Sequence, residues 1–503
     1  MFGLCVYLIV LIAAAYQLPE HWWDAASPEY LFILGGIGLW RYGWGVTNLV
    51  RALLYIHIVF PRMRRQVEAL GEAAMPRHSF LLVTSFRIDT ETTRRVYASV
   101  FEEAKRSKLR CTVIASIVEM GDQRLIKALY DMHGACELVD LEFIRIAGTG
   151  KRDALGEGFR VIARRGAGDT DVACVIDGDS ILEPNILRKS LPFIAAFPDV
   201  GAFTTDEVCE VVGPKVYHHW YSMRFAQRQI LMSSHGLAKR VLTLTGRMSA
   251  FRANILTRPD FIKQVEVDWV DHWRLGRFKF LTGDDKSSWY YLIRNGWKML
   301  YIPDVRVITI ETVPDNNFFK GSTALMVRWF GNMLRTNSRA LALGPRKISL
   351  WSWWSIFDQR ISMWTSLTGL VATILVAVFV DPLLLVGYLF WVALTRFLMT
   401  VSLLASRENV SWTWPFLLFY NQIYGSMIKT YIFFRLDRQK WTRQSISTAK
   451  ASTTWKEKLD RFASVMLHAC AIFVFVAALG SYMRVLTPKA MENLDLMMVD
   501  IRN

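Results

Sequence analysis

The run Val175-Ile176-Asp177-Gly178-Asp179-Ser180 closes an apolar, β-rich stretch with two carboxylates one residue apart. Hard divalent cations take carboxylate oxygens, and magnesium characteristically joins one or two of them to a substrate diphosphate; manganese accepts the same ligands. The intervening glycine permits a tight turn at the strand end. Asp-Gly is also common in ordinary surface turns, so the pair alone leaves both uses open. A second acidic pair stands in Leu281-Thr282-Gly283-Asp284-Asp285-Lys286. Either carboxylate could act as general base toward an acceptor hydroxyl, and either could instead cap a helix. Farther on come Arg328-Trp329, then Asn332 and Arg335. Arg can bind a diphosphate through paired hydrogen bonds, and Trp can stack on a sugar ring. The same pair also suits a membrane interface with a snorkelling Arg.

Apolar residues make up 52% of the 503 positions, and the excess gathers at the two ends of the chain. Membrane segments flanking a water-soluble middle explain that segregation better than one apolar core. From 75 to 318, short β-rich runs (Phe80–Thr84, Cys111–Ile117, Glu142–Ile146, Val172–Ile176) alternate with helical lengths, which predicts an α/β domain with a mainly parallel sheet. Ligands of such sheets bind at the carboxyl ends of strands, where the first acidic pair falls.

Residues 1–60 read as a transmembrane hairpin built from Leu4–Leu18 and Tyr30–Val50. Its loop holds Glu20, Asp24 and Glu29 without Lys or Arg, whereas Arg51, Arg62, Arg64 and Arg65 follow it. The positive-inside rule then places the loop outside and the α/β domain in the cytosol. Arg41, inside the second stretch, must face protein or water. Residues 319–358 read as interfacial amphipathic helices, 361–405 as a pair of spans, 411–460 as an interfacial helix followed by a basic segment, and 461–483 as the last span. If Trp412–Phe434 spanned, the basic stretch Arg435–Lys458 would lie outside, against the positive-inside rule, so Trp412–Phe434 is expected in the interface plane or packed within the bundle.

The formal charge of +16 (60 Lys and Arg against 44 Asp and Glu) fits cytosolic loops and anionic ligands. Nucleic-acid binding lacks a motif here. Six cysteines without CxxC pairing fit a reducing compartment, with neither disulfide framework nor zinc site.

Strand-end DxD, a later acidic pair, then Arg-Trp before the return to membrane is the order of parts in processive family 2 glycosyltransferases, and the chain resembles cellulose and hyaluronan synthases in this layout. It resembles the alginate polymerases, the mannuronan synthase catalytic subunits, more closely still. The strings are residues 83–89 (VTSFRID), 146–153 (IAGTGKRD), 245–249 (TGRMS), 272–289 (HWRLGRFKFLTGDDKSSW) and 434–439 (FRLDRQ), and the likeness runs from about Leu31 to Gln444.

The resemblance implies a GT-A-like cytosolic domain on membrane helices at the inner membrane. Asp177 and Asp179 match the metal–diphosphate motif, with Asp179 favoured as direct ligand of Mg2+ (or Mn2+). Asp285, with Asp284 before it, matches the acceptor-activating base. Arg328 and Lys151 match groups at the diphosphate; Ser85, Arg87, Asp89 and Glu119 fall where the nucleotide is held. Trp329 matches the acceptor-stacking residue, and Trp441, Thr442, Arg443 and Gln444 match a gating loop. The family's QxxRW begins with Gln, but Leu325 stands there, so a uronate acceptor would need a basic partner: Arg247, Lys286 or Arg335. The implied reaction is inverting polymerisation of GDP-mannuronic acid into β-1,4-polymannuronate with export through the spans. The implied partner is a membrane co-polymerase bearing a cyclic-di-GMP-binding PilZ domain. A synthase using another sugar nucleotide, and a non-catalytic export or scaffold subunit, stay open as alternatives.

Overall fold

Residues 78–84 (HSFLLVT), with Phe80 to Val83 fully buried, form the central strand of an eight-stranded sheet. The structure, a computed structural model, describes residues 2–17, 28–147, 150–441, 446–447, 455–483 and 485. In chain order the strands are β1 (His78–Thr84), β2 (Arg110–Ile117), β3 (Val139–Arg145), β4 (Val172–Asp177), β5 (Ser180–Leu182), β6 (Val200–Val212), β7 (Met248–Arg252), a separate hairpin of β8 (Trp269–His272) and β9 (Gly276–Lys279), and β10 (Lys298–Thr312). The sheet order is β3-β2-β1-β4-β7-β6-β10-β5.

The first four strands run parallel, as do β6 and β10. β7 is antiparallel to both of its neighbours, and β5 to β10. The sheet is therefore mixed where the sequence pattern suggested a mainly parallel one, because a short apolar run carries no sign of its direction. After the helix Lys215–Gly236 the chain passes the amino edge of the sheet, where Met299 N bonds Lys239 O. It then crosses back, so β7 starts opposite Ile176. That return sets Gly246 and Arg247 beside the Asp-Gly-Asp turn.

Among the described residues four helices are long and apolar enough to cross a membrane: Gly36–Ala74, Leu350–Phe379, Leu384–Ala405 and Glu457–Tyr482; Phe2–Ala15 is apolar but shorter. The chain is a membrane protein. One boundary differs from the sequence reading. Gly344 and Ser349, both at positive φ, break the chain after the helix Phe318–Ala342. The Trp-rich stretch up to Phe357 then begins the 30-residue helix Leu350–Phe379 and is not a separate interfacial element. The helix Trp414–Phe433 packs against Phe318–Ala342, Leu350–Phe379 and Leu384–Ser402. Its polar residues find partners there: Asn421 Oδ1 accepts from Trp220 Nε1 at 2.8 Å, and Gln422 Nε2 donates to Ser366 O at 3.1 Å. Glu20 and Asp24 lie outside the described residues.

Arg41 donates two hydrogen bonds to Asp358 (2.6 and 3.3 Å), tying the first long helix to Leu350–Phe379. Removing one member of a buried pair strands the other charge. Arg41→Ala should therefore cost about 3 kcal/mol of stability, read as a lower melting temperature in detergent, and Arg41→Ala/Asp358→Ala should recover part of it.

Candidate active site

The Asp-Gly-Asp turn is pinned by backbone bonds to three strand ends. Gly178 N bonds Thr84 O at 2.9 Å, Asp177 N bonds Arg247 O at 3.4 Å, and Ile310 N bonds Asp179 O at 2.8 Å. A Cβ on Gly178 would lie 2.5 Å from Ser85 Oγ and 2.9 Å from Thr84 O, so only glycine fits. The Gly-Asp-Asp turn begins with Gly283 at φ +87°, where a Cβ would also press on Asn332. Asp284 and Asp285 occupy the first turn of the helix Asp284–Arg294.

Both turns open on one cavity of about 580 Å³ at the carboxyl end of the sheet, which Lys151, Arg328 and Trp329 also line. Lys151 Nζ stands 2.5 Å from Asp177 Oδ1 and 3.2 Å from Asp284 Oδ2, so the two acidic motifs lie within two ion-pair lengths of each other. Burial disfavours the Lys151 ammonium, but Asp177 and Asp284 outweigh it and hold the group above the ordinary lysine range. Burial likewise opposes ionisation of Asp284, yet Lys151 and Arg152 keep its carboxyl below the usual range. Asp285 goes the other way, raised by burial and by the charge of Asp284. The pair is thus split into an ionised partner for Lys151 and a more basic carboxylate, the division a general base requires.

Arg152 holds this geometry from behind. Its guanidinium donates to Val265 O (2.5 Å), Thr282 O (3.2 Å) and Ser287 Oγ (3.1 Å). Ser287 Oγ and Arg339 in turn bond the buried Asp268, and Thr282 Oγ1 bonds Asn332 at 2.8 Å. The sequence reading missed Arg152, Asp268 and Arg339. A signal for Arg152 was present: Lys151 and Arg152 open the helix Lys151–Arg164 with two cations where the helix dipole favours anions.

Other expected residues divide. Ser85 lines the cavity. Arg87 and Glu119 lie outside it, 3.9 Å apart and exposed. Asp89 caps the helix Thr90–Ser107 by accepting from Thr92 N, a backbone bond that holds its carboxyl below the usual range. Arg335 is buried away from the cavity, donating to Leu436 O and Arg438 O, and burial pulls it down to about 9. Lys286 bonds Leu242 O outside the cavity. Arg247 lines it but is held by Glu207 and Glu311. Leu325 lines the wall. Trp441 belongs to a short strand pair of Lys440–Trp441 with Ile446–Ser447, and Thr442, Arg443 and Gln444 lie outside the described residues.

Among the described residues no three His, Cys, Asp or Glu side chains gather as a metal cage. Two carboxylate groups lining one cavity are a donor set magnesium accepts when substrate oxygens and water complete its shell. The Lys151 ammonium against Asp177 shows that this edge of the cavity favours a cation. The residues fit a divalent ion at Asp177 and Asp179.

A mixed sheet with acidic turns at its carboxyl edge and Arg-Trp on a following helix is the architecture of a sugar-nucleotide transferase. The chain belongs to the family 2 glycosyltransferases: the family model "Glycosyltransferase like family 2" matches residues 76–332. It is 45% identical over 477 residues to "Glycosyltransferase alg8" of Pseudomonas syringae pv. tomato (strain ATCC BAA-871 / DC3000), covering 95% of this chain and 97% of the relative. "Glycosyltransferase alg8" of Azotobacter vinelandii is 44% identical with the same coverage. The enzyme is accordingly a glycosyltransferase of the alg8 kind. A mannosyltransferase of Pyrobaculum calidifontis, PcManGT, solved with GDP-Man and Mn2+, aligns with a TM-score of 0.42 at 16% identity, covering 76% of this chain and 97% of that one.

A Cβ on Gly246 would lie 2.6 Å from Lys151 Nζ and 2.7 Å from Asp177 Oδ2. Gly246→Ala should thus displace the bridge and cut kcat at least about tenfold while the protein still folds, measured as nucleoside diphosphate release beside a melting curve. A carboxyl acting as general base works in its ionised form, and that of Asp285 is held above the ordinary range. The rate should therefore climb with pH through a titration above the ordinary carboxylate range, then level off. A pH–rate profile that is flat down to the usual aspartate range would contradict this.

Proposed function

We propose that this glycosyltransferase polymerises mannuronic acid from GDP-mannuronic acid into β-1,4-linked polymannuronate, the precursor of alginate, and passes the product outward through its own helix bundle. The observation that carries the reading is the single cavity in which Lys151 bridges the two acidic motifs and Arg328 and Trp329 complete the wall. Kinship with the alg8 glycosyltransferases over nearly the whole chain supports the acidic sugar.

In this reading Asp285 accepts the proton of the acceptor 4-hydroxyl as its oxygen attacks the anomeric carbon from the face opposite the leaving group. The bond from that carbon to the diphosphate oxygen breaks, and configuration inverts. Arg328 donates to the diphosphate as charge develops on it, and Lys151 keeps Asp284 from competing for the proton. A Mg2+ or Mn2+ ion at Asp177 and Asp179, when bound, supplies further neutralisation of the leaving group. Trp329 offers a ring to the acceptor sugar. Lys320 and Arg328 line the cavity without a carboxylate partner among the described residues, and we assign Lys320 to the uronate carboxylate in place of Arg247, Lys286 and Arg335. The enzyme sits in the inner membrane with its α/β domain in the cytosol, beside a co-polymerase that carries a PilZ domain responsive to cyclic-di-GMP.

Membranes containing the chain and that partner, given GDP-mannuronic acid and Mg2+, should yield polymer that a mannuronate-specific lyase digests. Chelation should abolish synthesis, and Asp285→Asn should reduce it at least about a hundredfold at equal protein level. Turnover of a different sugar nucleotide into lyase-resistant product would refute the donor assignment, and full activity of Asp285→Asn would refute the base.

A further inference from the structure

The partly buried cations in and around the cavity differ in what neutralises them. Arg41 has Asp358, and Arg247 has Glu207 and Glu311. Arg224 and Lys429 have no carboxylate within ion-pair distance among the described residues. The Arg224 guanidinium lies over three rings: Trp329 at 4.5 Å, Trp220 at 5.0 Å and Phe330 at 6.0 Å. The Lys429 ammonium lies 4.8 Å from the same Phe330 ring and, among the described residues, donates to Ser362 Oγ at 3.3 Å. Asp358, whose charge reaches Lys429, is already bonded twice by Arg41. Both cations are half-buried.

These contacts form an unbroken row. Trp329 lines the catalytic cavity and touches Arg224; Arg224 and Lys429 flank Phe330; Lys429 reaches Ser362 on Leu350–Phe379, a helix long and apolar enough to span. Arg224 lies on the helix Lys215–Gly236 and Lys429 on Trp414–Phe433, which packs against two of the candidate spans. A cation kept beside membrane-spanning helices without a counter-charge is costly, and such groups face the bundle interior or a wet path and mark the route of a charged passenger. Ring faces hold a cation only modestly, leaving its charge available. A passenger also needs binding weak enough for release at each step. Neither cation is locked by a carboxylate, so each meets that condition for a polyanion, while a neutral polymer would gain nothing from them.

We propose that Arg224 and Lys429 are a two-cation relay that receives the carboxylates of an acidic polysaccharide as it leaves the catalytic cavity for the helix bundle. The relay rests on the acidic-product reading above and assigns residues to it. It makes charge at position 429, and not shape, the property that matters.

The test uses the full chain with its partner in membrane vesicles, comparing wild type, Lys429→Gln, Lys429→Arg and Arg224→Gln at matched protein levels. Polymer length and amount are read beside GDP release. Lys429→Gln and Arg224→Gln should each lower long polymer about tenfold and shift product toward short oligosaccharides, whereas Lys429→Arg should retain most of it. Wild-type length and yield from Lys429→Gln would overturn the relay, as would equal losses in Lys429→Gln and Lys429→Arg, which would mark Lys429 as packing. If wild type itself made no lyase-sensitive uronate polymer, the acidic-product reading would fall instead, so the two failures are distinguishable.

Discussion

One ammonium shared by two carboxylates organises this enzyme. Lys151 joins Asp177, at the end of a central strand, to Asp284, on a helix more than a hundred residues later. Without it, Asp177 and Asp284 would face the same cavity with no ammonium between them, and their like charges would repel. At short range in a partly dry site, such repulsion is worth several kcal/mol. The bridge also decides which acid is which. Burial and the charge that the bridge keeps on Asp284 make ionisation of the adjacent Asp285 harder, with Lys286 and Lys151 only partly offsetting them, and a carboxylate that resists ionisation is a better proton acceptor once ionised.

The helix that follows the sheet takes part in this arrangement. Helix Phe318–Ala342 carries Arg328 and Trp329 into the cavity and, one to three turns on, gives Asn332 to the Gly-Asp-Asp turn and Arg339 to Asp268. Its Arg335 holds the backbone of Leu436 and Arg438. From that segment Gln439 accepts from Leu281 N and donates to Lys279 O. The chain leading toward residues 441–444 is therefore fastened to the turn that presents Asp285. Phe280, fully buried, sits within cation–π distance of Arg152, Arg335 and Arg339, so one ring gathers the guanidinium groups that brace the Gly-Asp-Asp turn.

The sequence disclosed those parts of the site whose chemistry is local. A strand-end Asp-Gly-Asp, a Gly-Asp-Asp and an Arg-Trp each advertise themselves within a few residues, and all three line the cavity. Long-range partnerships were harder to read. Arg335 looked like a ligand-binding cation because nothing nearby shows that its donors are spent on carbonyls a hundred residues away. Asp89 looked like a nucleotide contact, yet an Asp before a helix serves the cap equally well. Asp268 and Arg339 went unnoticed because a buried ion pair leaves no periodic trace in either segment. The fold class followed from strand spacing and the apolar ends, while the backward entry of β7 depended on a connection that crosses the sheet twice.

The account stands or falls on a nucleotide diphosphate bound through a metal ion at the strand-end carboxylates. The most direct measurement is calorimetric titration of GDP into the detergent-solubilised chain, with and without Mg2+, for wild type and Asp179→Asn. The account predicts wild-type binding that depends on the metal and is lost in Asp179→Asn. Equal binding in all four titrations would contradict it.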